Sequence, residues 1–358
     1  MDRALYLRLA ERLDSIPNGF ELTETGLTLL AKLFSPEEAR LAGSMEAGFE
    51  APGDIAARVG MDEPSVGSTL SEMARKGLIR SARTGEDRAY ALMPFAVGVY
   101  EESLPRMDEE LAALFEAYYQ ETRGGPMTHG RPALQRVIPV GESIPVDLEI
   151  FPYERAAEYI ERARSWGVRD CICRVQQKLV GKGCDAPVEN CLVFAPIEGA
   201  FEDSEATKPI TRNEALRILK EAADAGLVHS TMNQQGQVFY ICNCCTCCCG
   251  ILRGVAEFGL PTAVARSDFQ AVVDSERCTG CGACTERCSF GALSVEDDVC
   301  SVAPDRCVGC GVCVSGCSFD ALRMQRRQEG EVPVPPANRR AWLNERAATR
   351  GAALGEAE

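Results

Sequence analysis

No run of this 358-residue chain approaches the roughly twenty uninterrupted apolar residues that a membrane-crossing helix needs. Histidine occurs twice, as His129 and His229, and nothing in the sequence pairs either one with a nucleophile, so both read as loop or surface residues. An acid–base constellation of the kind hydrolases and transferases carry is therefore missing. Neither a phosphate-cradling G-x-x-x-x-G-K-[ST] nor a strand-borne G-x-G-x-x-G occurs, so nucleotide or flavin binding has no local support. Positive charge is in deficit: 38 Lys and Arg stand against 53 Asp and Glu. The net charge of −15 argues against general affinity for nucleic acid or anionic membranes. Aromatics are scarce, at 6%, while the apolar fraction of 46% is ordinary for a globular protein of two or three domains. The N-terminal residues Met1 to Arg8 read as the start of an amphipathic helix and not as a signal peptide.

What the chain has in abundance is cysteine, nineteen in all. Adjacent thiols such as Cys247-Cys248-Cys249 suit metal thiolates better than disulfides, which implies a cytoplasmic protein in a reducing, oxygen-poor cell. Eight of the nineteen form two copies of C-x2-C-x2-C-x3-C: Cys278, Cys281, Cys284, Cys288 and Cys307, Cys310, Cys313, Cys317. The offset is constant, since 307 − 278 = 29 and 317 − 288 = 29. It extends beyond the cysteines, because Cys-Ser-Phe-Gly-Ala-Leu at 288–293 returns as Cys-Ser-Phe-Asp-Ala-Leu at 317–322. Three thiolates at this spacing wrap one loop around three corners of a cubane, and a more distant thiolate takes the fourth. Zinc sites favour paired C-x2-C knuckles with a longer gap, which makes zinc the weaker reading here.

This segment resembles bacterial ferredoxins with two [4Fe–4S] clusters. In that family the fourth cysteine of each run ligates the other run's cluster. The resemblance therefore implies one cluster on Cys278, Cys281, Cys284 and Cys317, and another on Cys307, Cys310, Cys313 and Cys288. The proline that usually follows the fourth cysteine is Ser289 in one run and Ser318 in the other. Gly280, Gly282, Gly309 and Gly311 fit loops that fold tightly over a cluster.

Ten further cysteines lie in the middle of the chain. Cys171, Cys173, Cys184 and Cys191 supply four thiolates, the number one cubane or one zinc ion requires. Six more, Cys242, Cys244, Cys245, Cys247, Cys248 and Cys249, crowd into eight positions. In extended chain Cys242 and Cys244 point one way and Cys245 and Cys247 the other, so the six serve two sites or join the earlier four in a larger cluster. The set can hold one or two further iron–sulfur clusters, a zinc site, or reactive thiols. Arg174, directly after Cys173, is either a positive charge beside thiolates or a surface side chain. Cys300, between the two ferredoxin runs, reads as a buried apolar thiol.

The expected fold class is α+β and multidomain. Residues 1–125 are expected to form a winged-helix domain with flanking helices. Helices are predicted over Thr25–Phe34, after Glu37, from Pro52, and from Asp62 to Gly77, followed by a two-stranded wing over 78–95. Residues 126–265 form a central, mixed α/β, cysteine-rich domain. It holds a strand over Gln135–Val140, a helix over Tyr153–Ser165, a helix opened by the capping box Thr211…Glu214, and a strand over Gln237–Ile241. Residues 266–326 form the two-cluster domain. Residues 327–358 form a proline-containing linker and an arginine-rich tail, expected as a solvated helix or disordered. A further helix is predicted over Leu104–Glu121. The order of helices and wing resembles the winged helix–turn–helix of small bacterial regulators. The whole chain resembles multidomain 4Fe–4S ferredoxin-like proteins of anaerobic bacteria.

These features point to an electron-transfer protein, a soluble carrier or the iron–sulfur subunit of a larger redox complex. Residues 267–322 carry nine acidic and three basic side chains, which suits docking on a basic patch of a redox partner. The alternative is an iron–sulfur transcriptional regulator that binds DNA through the winged helix. Six basic and six acidic residues over 51–92 make DNA the less favoured partner.

Overall fold

The computed structural model describes residues 2–46, 48–85, 87–144, 154–202, 204 and 206–351. The chain folds as two units. The first comprises residues 1–132, 176–181 and 340–358, the second 133–175 and 182–339.

The first unit is mainly helical. Helices run over Arg3–Asp14, Glu24–Leu33, Pro36–Ala42, Pro52–Val59 and Glu63–Arg75. Their starts are set by local chemistry. The Thr23 side chain accepts from the Gly26 amide, Ser35 and Glu38 form a reciprocal capping box ahead of Pro36, and Asp62 accepts from the Ser65 amide. The last helix buries Val66, Leu70 and Met73, the stripe its spacing demands. An antiparallel hairpin of β1 (Ile79–Thr84) and β2 (Asp87–Leu92) follows. After a single helical turn at Tyr100–Glu102, a longer α-helix spans Glu109–Glu121, shorter than the 104–121 prediction, because Asp108 caps it and residues 104–106 form a separate 3-10 turn. Its Phe115 and Tyr118 join Phe20 and Phe95 in an aromatic cluster, with Phe20 and Tyr118 stacked at 5.1 Å.

The described part of the arginine-rich tail forms the helix of that expectation, Arg339–Arg350, but not as a wholly solvated one: its Arg346 is completely buried. The Arg346 guanidinium donates to the carbonyl oxygens of Pro17, Pro126, His129 and Pro132. Burial pulls its pKa down to about 10, which still leaves it charged at neutral pH. His129 matches its loop assignment, with Nδ1 2.8 Å from Glu21 Oε1.

The second unit is built on a six-stranded antiparallel sheet in the order β3-β7-β8-β5-β4-β6. The strands are β3 (Gln135–Ile138), β4 (Ser165–Asp170), β5 (Glu189–Ala195), β6 (Lys208–Ile210), β7 (Val228–Met232) and β8 (Tyr240–Cys244). Helices Ala156–Arg162 and Arg212–Asp224 cover one face around Ile160, Val168, Leu192, Ala215 and Ile241. The capping box at Thr211 and Glu214 forms as expected. Of the helix predicted over 153–165, the first residue lies outside the described residues and the helix itself spans Ala156–Arg162, since Ser165 already opens β4. The strand predicted over 237–241 begins later and runs through Cys244.

The C-terminal part of this unit holds two antiparallel strand pairs, β9 (Phe269–Val273) with β12 (Leu322–Arg326) and β10 (Leu293–Glu296) with β11 (Val299–Val302). The sequence repeat dictates their relation. Leu293 pairs with Val302 and Leu322 pairs with Val273, and both differences, 322 − 293 and 302 − 273, equal 29. Two copies of one motif thus exchange strands in the same register. Their shared core contains Phe269, Leu293, Leu322, Met324 and several of the cysteines.

Candidate metal centres

The two C-terminal runs line two separate cavities. Cys278, Cys281, Cys284 and Cys317 face the first, together with Val295, Cys300 and Phe319. Cys288, Cys307, Cys310 and Cys313 face the second, with Phe290, Val308 and Val312. Each cavity thus gathers three cysteines of one run and the fourth of the other. The strand exchange produces this crossing, since each run's fourth cysteine leads into a strand that pairs with the other repeat.

The surroundings suit thiolates bound to a cluster. The Ala292 amide donates to Cys288 Sγ and the Ala321 amide to Cys317 Sγ, both at 3.3 Å and again 29 residues apart. The Cys300 amide donates to Cys278 Sγ at 3.3 Å. Such donors stabilise sulfur-borne negative charge. Gly280 and Gly309 have φ of +66° and +77°. A Cβ at Gly280 would lie 2.6 Å from the Asp298 carbonyl oxygen, and one at Gly309 2.1 Å from that of Phe269. The loops are drawn against the opposite repeat's backbone more closely than any side chain allows.

The cavities differ in exposure. At the first, Cys281 is exposed and Phe319 is 47% exposed, whereas Cys307 and Cys313 of the second are buried. The second run is also tied to the central part of the unit, through the Val140 amide donating to the Cys310 carbonyl at 2.9 Å. Burial pushes the Cys310 thiol up to about 12 and raises Cys313 as well. Cys300 is buried as expected, with Sγ 3.5 Å from Cys284 Sγ. Burial and the neighbouring Cys284 raise it to about 12.

Residues 271–294 and 301–323 each match the family model of the 4Fe–4S binding domain. The C-terminal region is a ferredoxin-like module for two [4Fe–4S] clusters. Comparisons with curated proteins and with solved structures returned no match.

The ten central cysteines divide four and six, though not along the sequence groups. Cys184 leaves its neighbours and joins Cys245, Cys247 and Cys248, and these four sulfurs lie within 4.8 Å of one another. The other six, Cys171, Cys173, Cys191, Cys242, Cys244 and Cys249, form a string of near neighbours that perturb one another's ionisation: Cys171 and Cys173, Cys173 and Cys249, Cys249 and Cys244, Cys244 and Cys242, and Cys242 and Cys191. Extended β8 sends Cys242 and Cys244 to the string, as strand alternation requires. Continuing the Leu192–Ile241 register by one residue sets Cys191 opposite Cys242. The turn after Cys244 carries Cys245, Cys247 and Cys248 away to the quartet.

Arg174 stands between the two sets and is fully buried, which excludes the surface reading. Its guanidinium donates to the Pro187 carbonyl at 3.0 Å, Asn190 Oδ1 at 2.8 Å and the Asn243 carbonyl at 2.8 Å. Burial opposes its charge, but the sulfurs of Cys171, Cys245 and Cys244 outweigh that cost and raise its pKa. Hydrogen bonding from Cys248, helped by Arg174, draws the Cys245 thiol down to about 5. Hydrogen bonds from Cys242 and Cys249 likewise hold Cys244 well below the usual thiol range. Burial instead pushes Cys247 up to about 12. Each set thus contains one sulfur of marked thiolate character near the same cation.

Sequence reasoning missed the polar lattice behind these thiols. Asn243, between two ligand candidates, donates to the Asn190 carbonyl at 2.7 Å, and its Oδ1 lies 2.7 Å from His229 Nδ1. His229 is therefore not a loop or surface residue but sits buried on β7, where desolvation lowers its pKa and keeps it neutral. The alternation Cys242-Asn243-Cys244 was the available signal, because the middle residue must face away from the metal side.

Proposed function

We propose that the protein is an iron–sulfur electron carrier or the iron–sulfur subunit of a larger redox complex. In this reading Cys278, Cys281, Cys284 and Cys317 hold one cubane, and Cys307, Cys310, Cys313 and Cys288 hold the other. The observation that carries it is the pair of crossed cavities, each lined by three cysteines of one run and the fourth of the other, with amide donors at their sulfurs. A cubane in each takes up and releases one electron at a time. The chain supplies the ligands, excludes water from the inner site and sets the order of transfer.

Cys281 and Phe319 open the first site to solvent, and the exposed carboxylates Glu276, Glu286, Asp297, Asp298 and Asp320 lie in its flanking segments. That face suits a basic redox partner, whose approach weakens with salt. Clusters in these two sites would pass electrons between the outer site and the buried one, which borders the central segment through Val140 and Cys310. The central thiols bind further metal beyond these two sites. Among the described residues, the sulfurs of the six-thiol string form no group of three or more within 4.8 Å of one another, which suits a polynuclear cluster better than a single ion.

Residues 24–92 have the element order of a winged helix, which we read as a platform for a protein partner. The cations that a DNA reader needs are engaged on the helix Glu63–Arg75 and at its end, Arg75 by Glu72 and Lys76 by Glu38. The reading is tested by anaerobic purification with iron and sulfide quantitation. It expects more than about eight irons per chain, with matching acid-labile sulfide. Four irons or fewer would remove the two-cluster relay. A count of about eight with no other metal would remove the central metal and leave those thiols to redox chemistry of their own.

A further inference from the structure

The four-thiol group of the central segment has a geometry that its neighbours lack. Cys184 Sγ lies 3.8 Å from Cys245 Sγ and 3.7 Å from Cys248 Sγ, and Cys247 Sγ lies 3.7 Å from Cys248 Sγ. A tetrahedral ion with metal–sulfur bonds of about 2.3 Å places its ligands about 3.8 Å apart, because a tetrahedron's edge is about 1.63 times its centre-to-corner distance. The observed separations match that edge.

A cubane demands something else. Its four thiolates bind four different irons at the corners of a cube, so the cluster's own width holds the sulfurs apart. The same chain contains the comparison. Among the described residues, the eight ferredoxin cysteines form no group of three or more whose sulfurs come within 4.8 Å of one another, although they share cavities four by four. Cys245 and Cys248 also stand in the C-x2-C spacing of a zinc knuckle, closed by Cys247 and by the sequence-distant Cys184.

We propose that Cys184, Cys245, Cys247 and Cys248 form a mononuclear, tetrahedral tetrathiolate site for zinc, separate from every iron–sulfur cluster of the chain. This refines the reading that the central cysteines bind metal, and it rests on that reading. All four sulfurs bind as thiolates, any protons they still carry pass to solvent as Zn²⁺ binds, and the complex is left with a charge of −2 beside the buried Arg174. Zinc is chosen over iron because a site of fixed ligands binds Zn²⁺ more tightly than Fe²⁺. Four protein ligands leave no open position, so the ion is structural. It staples the loop bearing Cys184 to the turn after β8.

The test uses the full chain purified anaerobically, with zinc and iron counted by mass spectrometry and the zinc environment read by X-ray absorption at the zinc edge. The expected result is one zinc per chain, bound to four sulfurs at about 2.3 Å with no nearby iron. Cys184→Ala should lose that zinc while the iron count stays unchanged. Should the variant fold poorly, the wild-type zinc spectrum decides alone. Zinc bound to nitrogen or oxygen, or no zinc at all, overturns the proposal, as does iron lost in step with Cys184. An iron count near sixteen without zinc overturns this proposal yet leaves the electron-transfer reading standing. A total of about eight irons and nothing else overturns both this site and the central-metal reading.

Discussion

Removing the Arg174 guanidinium tests the central segment in both stability and redox behaviour. The side chain makes three charge-assisted hydrogen bonds, to Pro187, Asn190 and Asn243, with no exposure to solvent. At about 1.5–3 kcal/mol each, their summed loss in Arg174→Ala is about 4–9 kcal/mol if nothing relaxes. Water entering the vacated space recovers part of this, so the expected destabilisation is about 3–5 kcal/mol, a large share of a domain's stability. The lost charge has its own effect. A unit charge about 5 Å from a cluster, at an effective dielectric of about 20, is worth about 3 kcal/mol. For one electron this corresponds to on the order of 100 mV. Without the cation an added electron is less stabilised, so the potential of the cluster proposed for the six-thiol string should fall. A potentiometric titration followed by electron paramagnetic resonance reads the shift, and anaerobic urea unfolding reads the stability. Arg174→Lys keeps the charge and loses the fork, so it should restore most of the potential and less of the stability. A potential unchanged in Arg174→Ala, with the cluster retained, would refute the electrostatic role.

Three other sets of substitutions have defined outcomes. Cys317→Ser should damage the cluster of the first run and Cys288→Ser that of the second, as seen in the iron content and spectra of each variant. If each instead loses its own run's cluster, the crossed ligand assignment is wrong. Gly309→Ala drives a Cβ to 2.1 Å from the Phe269 carbonyl in a left-handed backbone, so cluster incorporation at the second run should fail. Gly282→Ala is the control, with nothing nearer than 3.8 Å and a cost of about 1–2 kcal/mol from its φ alone. Arg346→Ala strands four carbonyl acceptors and should cost the first unit about 3–5 kcal/mol, read as faster amide exchange around residues 126–132.

The most legible parts were those in which local chemistry dictates geometry. Asp62 and Thr211 cap the helices whose starts they predict, and the 29-residue repeat, read from the sequence as two cluster-binding runs, folds into two equivalent strand pairs in one register. Strand alternation alone separated Cys242 and Cys244 from Cys245 and Cys247. The sequence grouping of Cys184 with Cys171, Cys173 and Cys191 failed, because the loop after the helix Ile172–Leu179 carries Cys184 to the turn following β8. No local rule encodes that return. Arg346 and His229 looked like surface residues for a related reason. Their burial is compensated by carbonyls and an amide oxygen from distant segments, and such partners exist only once the chain has folded.

Two ferredoxin-type clusters on one chain, close enough to exchange electrons, couple magnetically when both are reduced. Electron paramagnetic resonance of the full-length protein, reduced anaerobically, reads this coupling. Two [4Fe–4S] signals are expected, split and broadened by their mutual magnetic interaction, and lost together only when both C-terminal ligand sets are disrupted. A single uncoupled signal from about four irons, or a silent C-terminal module carrying zinc, would contradict that expectation.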